Sequence, residues 1–345
     1  MKFLRVSLAE ARGHVLGHNV VFEGRRLLKK GRRLLDAELE VLARTGSDGV
    51  YVAMLDAGDV DEDSAALRIA RALVHANPLQ AKPAHGGRVS LIAPEHGVLS
   101  LRSELLLELN LLEGVTLATL PAHAAAAPGQ LVATLKVIPF ALPQATVAAA
   151  EALAARGVIS LRPIAPRRVS MLVSGAESRR ERLFEAFRVP LVERVSRLGP
   201  HTVSAAYVTL EADPERELAG AIADELDSGV DLLILVSETA TMDSHDLGPR
   251  AIRRAGGTVD AVGAPVFPGN LLLLGHRGRS AILGAPGCVR SRAENVVDRV
   301  LPRLLLGDRL GQRDIAELGH GGLLHYSRGD DDGGSNEDGG ASGDG

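Results

Sequence analysis

Asp231-Leu-Leu-Ile-Leu-Val-Ser-Glu-Thr-Ala-Thr-Met-Asp-Ser-His-Asp-Leu-Gly-Pro249 is the stretch whose reading decides the fold. Leu232 to Val236 is an apolar run of strand length with polar residues on both sides, the pattern of an inner parallel strand covered on both faces. A polar loop follows. Pro249 after Gly248 suits the first turn of a helix, and Gly256-Gly257 suits its end. A strand, loop and helix in this order place a site beyond the carboxyl end of the strand. Open α/β sheets bind ligands there, and the next helix turns unpaired N–H groups toward an anion.

Around this segment, residues 164–325 alternate strands and helices. The pattern predicts strands over Arg168 to Val173, Thr202 to Val208, Leu232 to Val236, Thr258 to Val262 and Ser280 to Leu283. Helices are predicted over Glu181 to Leu198, Pro214 to Ser228, Pro249 to Ala255 and Arg292 to Leu306. This rhythm is that of a mostly parallel sheet in a three-layer α/β domain. Right-handed crossovers would gather the loops Ser237 to Gly248, Pro265 to Asn270 and Gly284 to Ser291 at one sheet edge.

Upstream, residues 1–80 read as a small α/β unit, with helices over Leu34 to Thr45 and Asp61 to His75 and a strand over Gly49 to Leu55. Residues 81–163 read as β-rich, with a linker helix over Ala145 to Arg156. Residues 326–345, rich in Gly, Asp and Ser, read as a disordered acidic tail.

The composition is that of a globular chain with 46 % hydrophobic residues, yet no run approaches the roughly 18 apolar residues of a membrane span. Charges interrupt the first ten residues too early for a secretory signal, so a cytoplasmic location without a membrane partner is expected. One cysteine, Cys288, excludes an intramolecular disulfide and any CxxC site. The formal charge is −4, and residues 329–345 hold six acids and no base, so removing them leaves the body at +2. A nearly neutral body with 3 % aromatics gives no case for a nucleic-acid partner.

Several polar residues stand in the three loops, and each has two readings. Asp246 is either a helix cap or a ligand or metal contact. Arg290 is either a bidentate phosphate donor or a surface ion pair. Glu238 is either a structural carboxylate accepting loop N–H groups, the preferred reading, or a residue at the ligand. Cys288 is either a thiol packed at a tight turn, the better reading, or a contact to a ligand or molybdenum. His245 is either a solvent-facing loop residue, the better reading, or an acid–base partner beside Asp246. The basic run Lys29-Lys30 with Arg32-Arg33 reads as a solvated hairpin.

On these residues the chain resembles the molybdopterin-binding domain shared by molybdopterin adenylyltransferases and molybdenum insertases. In that family a strand runs into a Gly-Gly-Thr-Gly type loop, an Asp follows shortly before a Pro that opens a helix, and a Pro-Gly-Asn-Pro type turn precedes the last helix. Here Glu238-Thr239-Ala240-Thr241 takes the place of the Gly-rich loop, Asp246 that of the acid and Pro249 that of the helix start. Pro268-Gly269-Asn270 and Pro286-Gly287-Cys288-Val289 take the places of the turns. The resemblance covers about half of the chain. With the amino-terminal extension it looks most similar to bacterial insertase-like molybdopterin-binding proteins.

The resemblance implies molybdopterin or the molybdenum cofactor as ligand, contacted by Ser237, Glu238, Thr239, Thr241, Pro268, Gly269, Asn270, Pro286, Gly287, Arg290 and Ser291. It implies Asp246 as the catalytic residue and as a ligand to Mg²⁺. It also implies a homo-oligomer that works with a molybdenum enzyme or its accessory proteins. Three functions follow: binding the pterin in cofactor biosynthesis, maturation or delivery; adenylyl or molybdate transfer; or a scaffold that keeps only the fold. Replacing loop glycines by Glu238, Thr239 and Thr241 restricts positive φ angles and adds a carboxylate, which favours binding over full catalysis.

Overall fold

The computed structural model describes residues 1–239 and 241–324, so Ala240 and the expected acidic tail lie outside the described residues. The chain divides into two compact units, residues 1–164 and residues 165 onward.

The first unit begins with β1 (Lys2–Ser7), β2 (Val15–Leu16), β3 (Val20–Phe22), β4 (Arg25–Leu28), α1 (Asp36–Ala43) and β5 (Gly49–Met54). β1 and β2 flank β5 in an antiparallel sheet, and Leu16, Leu34, Leu42 and Val52 form a small core beside it. There follow β6 (Asp59–Asp61), α2 (Glu62–Val74), β7 (Gln80–Ala81), β8 (Arg88–Ile92), β9 (Gly97–Leu101), α3 (Ser103–Asn110) and β10 (Val115–Thr119). β11 (Ala125–Ala126), β12 (Leu131–Val137), β13 (Ala141–Pro143), α4 (Gln144–Ala154) and β14 (Ile159–Pro163) complete the unit. Sheets ordered β10-β12-β8-β7 and β11-β9-β14 share a second core. α2 enters it through Ala66, Ile69, Ala70 and Leu73, apolar at helical spacing, and Asp61 caps the helix by accepting the Ser64 N–H.

The second unit is one six-stranded sheet. Its elements are β15 (Arg168–Gly175), α5 (Arg180–Ser196), β16 (Thr202–Thr209), α6 (Pro214–Asp227), β17 (Leu232–Ser237), α7 (Leu247–Arg254), β18 (Thr258–Val262), β19 (Leu273–Arg277), β20 (Ser280–Gly284), α8 (Val296–Leu306) and α9 (Gln312–Glu317). The strand order is β16-β15-β17-β20-β19-β18, with the first four mutually parallel. Side chains alternate across the sheet. Leu172, Leu233, Leu235 and Ile282 pack with α6 and α7 on one face. Their alternates Met171, Val173, Ile234 and Leu283 are buried on the other, where α5 lies along β15. β17 is buried from Leu232 to Val236, as an inner parallel strand requires.

Thr258 to Val262 is the edge strand β18 and points the same way as the parallel strands, but it is separated from them by β19, which is antiparallel to both β18 and β20. β19 itself is absent from the sequence reading. The chain can reverse there because Gly278, at φ +59, opens a two-residue turn between the paired Arg277 and Ser280. One boundary is corrected: the last long helix starts at Val296, not Arg292. Asn295 caps it by accepting the Val297 N–H, and the carbonyls of Ser291 and Ala293 are turned instead to Arg194.

Candidate functional site

The carboxyl ends of β15, β17 and β20 open into a cavity of about 580 Å³. Ser237, Glu238, Thr239, Thr241 and Asp246 line one side, and Pro286, Gly287 and Arg290 line another. Leu247 and Gly248, the first two residues of α7, also face it, so the N-terminus of that helix is part of the wall. Ser174 and Leu235 lie at its base.

The loop from Ser237 needs no glycine. None of its described residues has a positive φ angle, so Glu238, Thr239 and Thr241 fit it without strain. The Ser237 hydroxyl accepts the Thr239 N–H at 3.4 Å. The Thr241 hydroxyl lies beside Gly248, 3.5 Å from where a side chain there would begin.

Asp246 occupies the cap position of α7, yet its side chain makes no capping hydrogen bond. Oδ2 instead accepts the N–H groups of Met242 and, at 3.1 Å, Asp243. One carboxylate oxygen thereby shapes the loop, and Oδ1 has no hydrogen-bond partner among the described residues. His245 is solvent-facing, at 88 % side-chain exposure.

Glu238 is held from a neighbouring loop. Arg179, just before α5, forms an ion pair with it, and the Ala176 N–H lies 3.5 Å from Oε2. Tyr207 donates to the Ala176 carbonyl at 2.8 Å. Burial, reinforced by the Glu238 carboxylate, pushes the Tyr207 phenol above its usual range. The charge that Glu238 brings to the cavity is therefore matched by Arg179. Arg290 has no carboxylate partner among the described residues. It lies over the Phe187 ring at 5.6 Å and donates to the Gly287 carbonyl at 3.1 Å.

The turn that carries Arg290 is fixed by a buried arginine that has no local mark in the sequence. Arg194, 3 % exposed, donates to the carbonyls of Val289, Ser291 and Ala293 at 2.7–3.0 Å. Cys288 is half-buried at the same turn, and burial pushes its thiol above the usual range. That disfavours the thiolate a metal would need.

The remaining predicted residues stand elsewhere. Pro268, Gly269 and Asn270 do not line the cavity. Gly269 lies so close to Val296 that an added Cβ would fall 2.4 Å from its Cγ1, and the Pro268 carbonyl accepts the Val296 N–H at 3.1 Å. This turn docks the start of α8. Ser291 also lies outside the lining, and its hydroxyl accepts the Ala293 N–H. Among the described residues, no group of three His, Cys, Asp or Glu side chains is placed to hold a metal ion. No helix among them is long and apolar enough to cross a membrane.

The fold and cavity define a mostly parallel α/β domain with a candidate ligand site at its carboxyl edge. A family described as a domain of unknown function, DUF8806, matches residues 5–54, in the first unit. No curated protein matches the chain. Similar solved structures include molybdenum cofactor biosynthesis protein B, at 13 % identity over 41 % of this chain and 95 % of that chain, with a TM-score of 0.29. A molybdenum cofactor biosynthesis protein from Pyrococcus furiosus aligns at 12 % identity over 89 % of this chain and 64 % of that chain, with a TM-score of 0.24. The molybdopterin biosynthesis moea protein from Pyrococcus horikosii aligns at 12 % identity over 89 % and 75 %, with a TM-score of 0.28. At such identities and scores they bear on neither ligand nor activity.

Proposed function

We propose that the second unit binds molybdopterin or the molybdenum cofactor, in biosynthesis, maturation or delivery of that cofactor. The observation that carries this reading is the cavity itself. Its wall combines the N-terminus of α7, the hydroxyl-rich loop and an arginine without a carboxylate partner among the described residues. Helix N–H groups and a guanidinium suit a phosphate, and the Ser and Thr hydroxyls can donate to or accept from a pterin. The volume falls in the range of small-molecule sites. The sequence motifs supply the ligand class.

Magnesium fits this site only in part. Asp246 offers one carboxylate oxygen, and a hard cation there would complete its shell from ligand phosphate and water, as Mg²⁺ commonly does. The chain's own part is to bind and orient the ligand. Arg179 keeps Glu238 from repelling an anion, and Asp246 holds the loop while presenting Oδ1.

Fluorescence-quenching titration with a pterin phosphate tests the reading. Thr241→Ala should weaken binding by about 0.5–3 kcal/mol, one hydrogen bond. Asp246→Asn should abolish any Mg²⁺ response. Parent-like binding and Mg²⁺ response in both variants would place the ligand elsewhere. Oxidised, fluorescent pterin released from the purified protein would identify the ligand directly.

A further inference from the structure

The opposite end of the same sheet holds a second cavity, of about 390 Å³, which the pterin reading does not use. Arg167 and Asp231 stand at its wall where β15 and β17 begin, His276 and Arg279 come from the β19–β20 hairpin, and Asp260 comes from β18. Arg309 closes it from the segment after α8.

The carboxylates here are compensated. Asp231 accepts the Arg168 N–H at 2.8 Å and pairs with Arg167 at 3.4 Å. Arg167 also donates to the carbonyls of Leu305 and Leu306 at the end of α8. Asp260, with its side chain 11 % exposed, has one oxygen 2.7 Å from His276 Nδ1 and the other 3.1 Å from Arg309. Asp308 faces Arg303 at 3.6 Å. Two groups keep unused capacity. Arg279 makes no ion pair or hydrogen bond among the described residues, and His276 is held through Nδ1, leaving Nε2 without a hydrogen-bond partner among them.

We propose that this cavity is a second ligand site, for a phosphate or phosphate monoester, with Arg279 and His276 Nε2 taking the anion and Asp260 and Arg309 fixing the imidazole. The chemistry selects phosphate over carboxylate. Asp260 favours the tautomer with the proton on Nδ1, so a neutral His276 presents an acceptor at Nε2. A phosphate monoanion can donate its P–OH proton to that acceptor, and the dianion can accept from the imidazolium. An ionised carboxylate can pair with the imidazolium alone. Arg279 adds a planar fork of donors matched to phosphate oxygens.

The full chain titrated with inorganic phosphate, followed through the ring signals of His276 in NMR spectra, tests this without reference to the carboxyl-edge cavity. His276→Gln assigns those signals. Saturable movement of the His276 signals is expected. Arg279→Ala, at an exposed hairpin turn where folding is not at stake, should weaken the response about tenfold, corresponding to about 1.4 kcal/mol. Citrate at matched ionic strength should move the signals far less. His276 signals that stay still in phosphate, or that respond equally in Arg279→Ala or to citrate, would overturn the assignment.

Discussion

Arg194 Nε donates to Asp298 Oδ1 at 3.0 Å, joining residues 104 positions apart, α5 to the first turn of α8. The other oxygen of Asp298 accepts the Asn295 N–H at 2.9 Å, so one carboxylate both closes the capping box of α8 and anchors the guanidinium. The remaining Arg194 donors take three carbonyls between Val289 and Ala293. The shape of the turn that brings Gly287 and Arg290 to the cavity thus depends on a side chain that never reaches the cavity itself.

Arg194→Met should accordingly cost about 3 kcal/mol, because it strands a partly buried carboxylate and several carbonyls. Arg194→Lys should recover little of it, since an ammonium cannot span the fork of acceptors. Urea denaturation of both variants checks this. A loss below about 1 kcal/mol in the Met variant would mean that water replaces the guanidinium without penalty.

Two glycines should respond to alanine in opposite directions. A Cβ at Gly175 would lie 2.9 Å from Leu183 Cδ1 and from the Tyr207 hydroxyl, and 3.2 Å from Glu238 Oε2. Gly175→Ala should therefore cost about 1–3 kcal/mol and disturb the Glu238–Arg179 pair. A Cβ at Gly220, inside α6, meets nothing within 4 Å. Gly220→Ala should stabilise by about 0.4–1 kcal/mol. Thermal melts of the two variants decide the matter, and melting shifts of the same sign would contradict the packing around Gly175.

Burial of the Cys288 thiol predicts slow alkylation. With its ionisation moved above the usual thiol range, a smaller thiolate fraction exists at mildly alkaline pH than for a free cysteine. The iodoacetamide rate against pH should rise later than that of a cysteine peptide measured alongside. A profile at or below the peptide's would show that the turn opens readily.

What the sequence disclosed followed from local pattern. Leu232 to Val236 announces an inner strand, and the Asp246 to Gly257 segment announces a helix in nearly its observed place, because burial and end signals are written in neighbouring residues. β19 was less visible: its apolar run follows directly on the Pro268-Gly269-Asn270 turn and reads as loop, although Gly278 between two apolar runs is a hairpin signal. The supports of the site had no local mark at all. Arg179 meets Glu238 across 59 positions, and Arg194 meets Asp298 across 104, so only the folded sheet pairs them. The packing of the Pro268 to Asn270 turn was hidden for a similar reason. A Pro-Gly-Asn triplet suits a ligand loop, and only the fold brings Gly269 against Val296, 27 positions on.

Stability at low pH should report on Asp314. This residue closes the start of α9 by accepting the Gly311 N–H at 3.0 Å and pairs with Arg303 at 2.8 Å. The backbone hydrogen bond first, and Arg303 with it, hold its carboxyl below the ordinary value of 3.8 despite partial burial. A depressed folded pKa means that the unfolded chain takes up the proton first as pH falls. The stabilisation is therefore complete above the ordinary carboxylate value and is lost as pH drops through the lower, folded one. Asp314→Asn removes the charge at every pH. It should cost about 1 kcal/mol near neutrality, the size of a capping contact with a partly exposed ion pair. That deficit should shrink once the parent's own carboxyl is protonated, below the ordinary carboxylate value. Urea denaturation of parent and variant near neutrality and at successively lower pH measures it, and a deficit that stays constant into the acid range would show that the carboxylate charge at Asp314 does not stabilise α9.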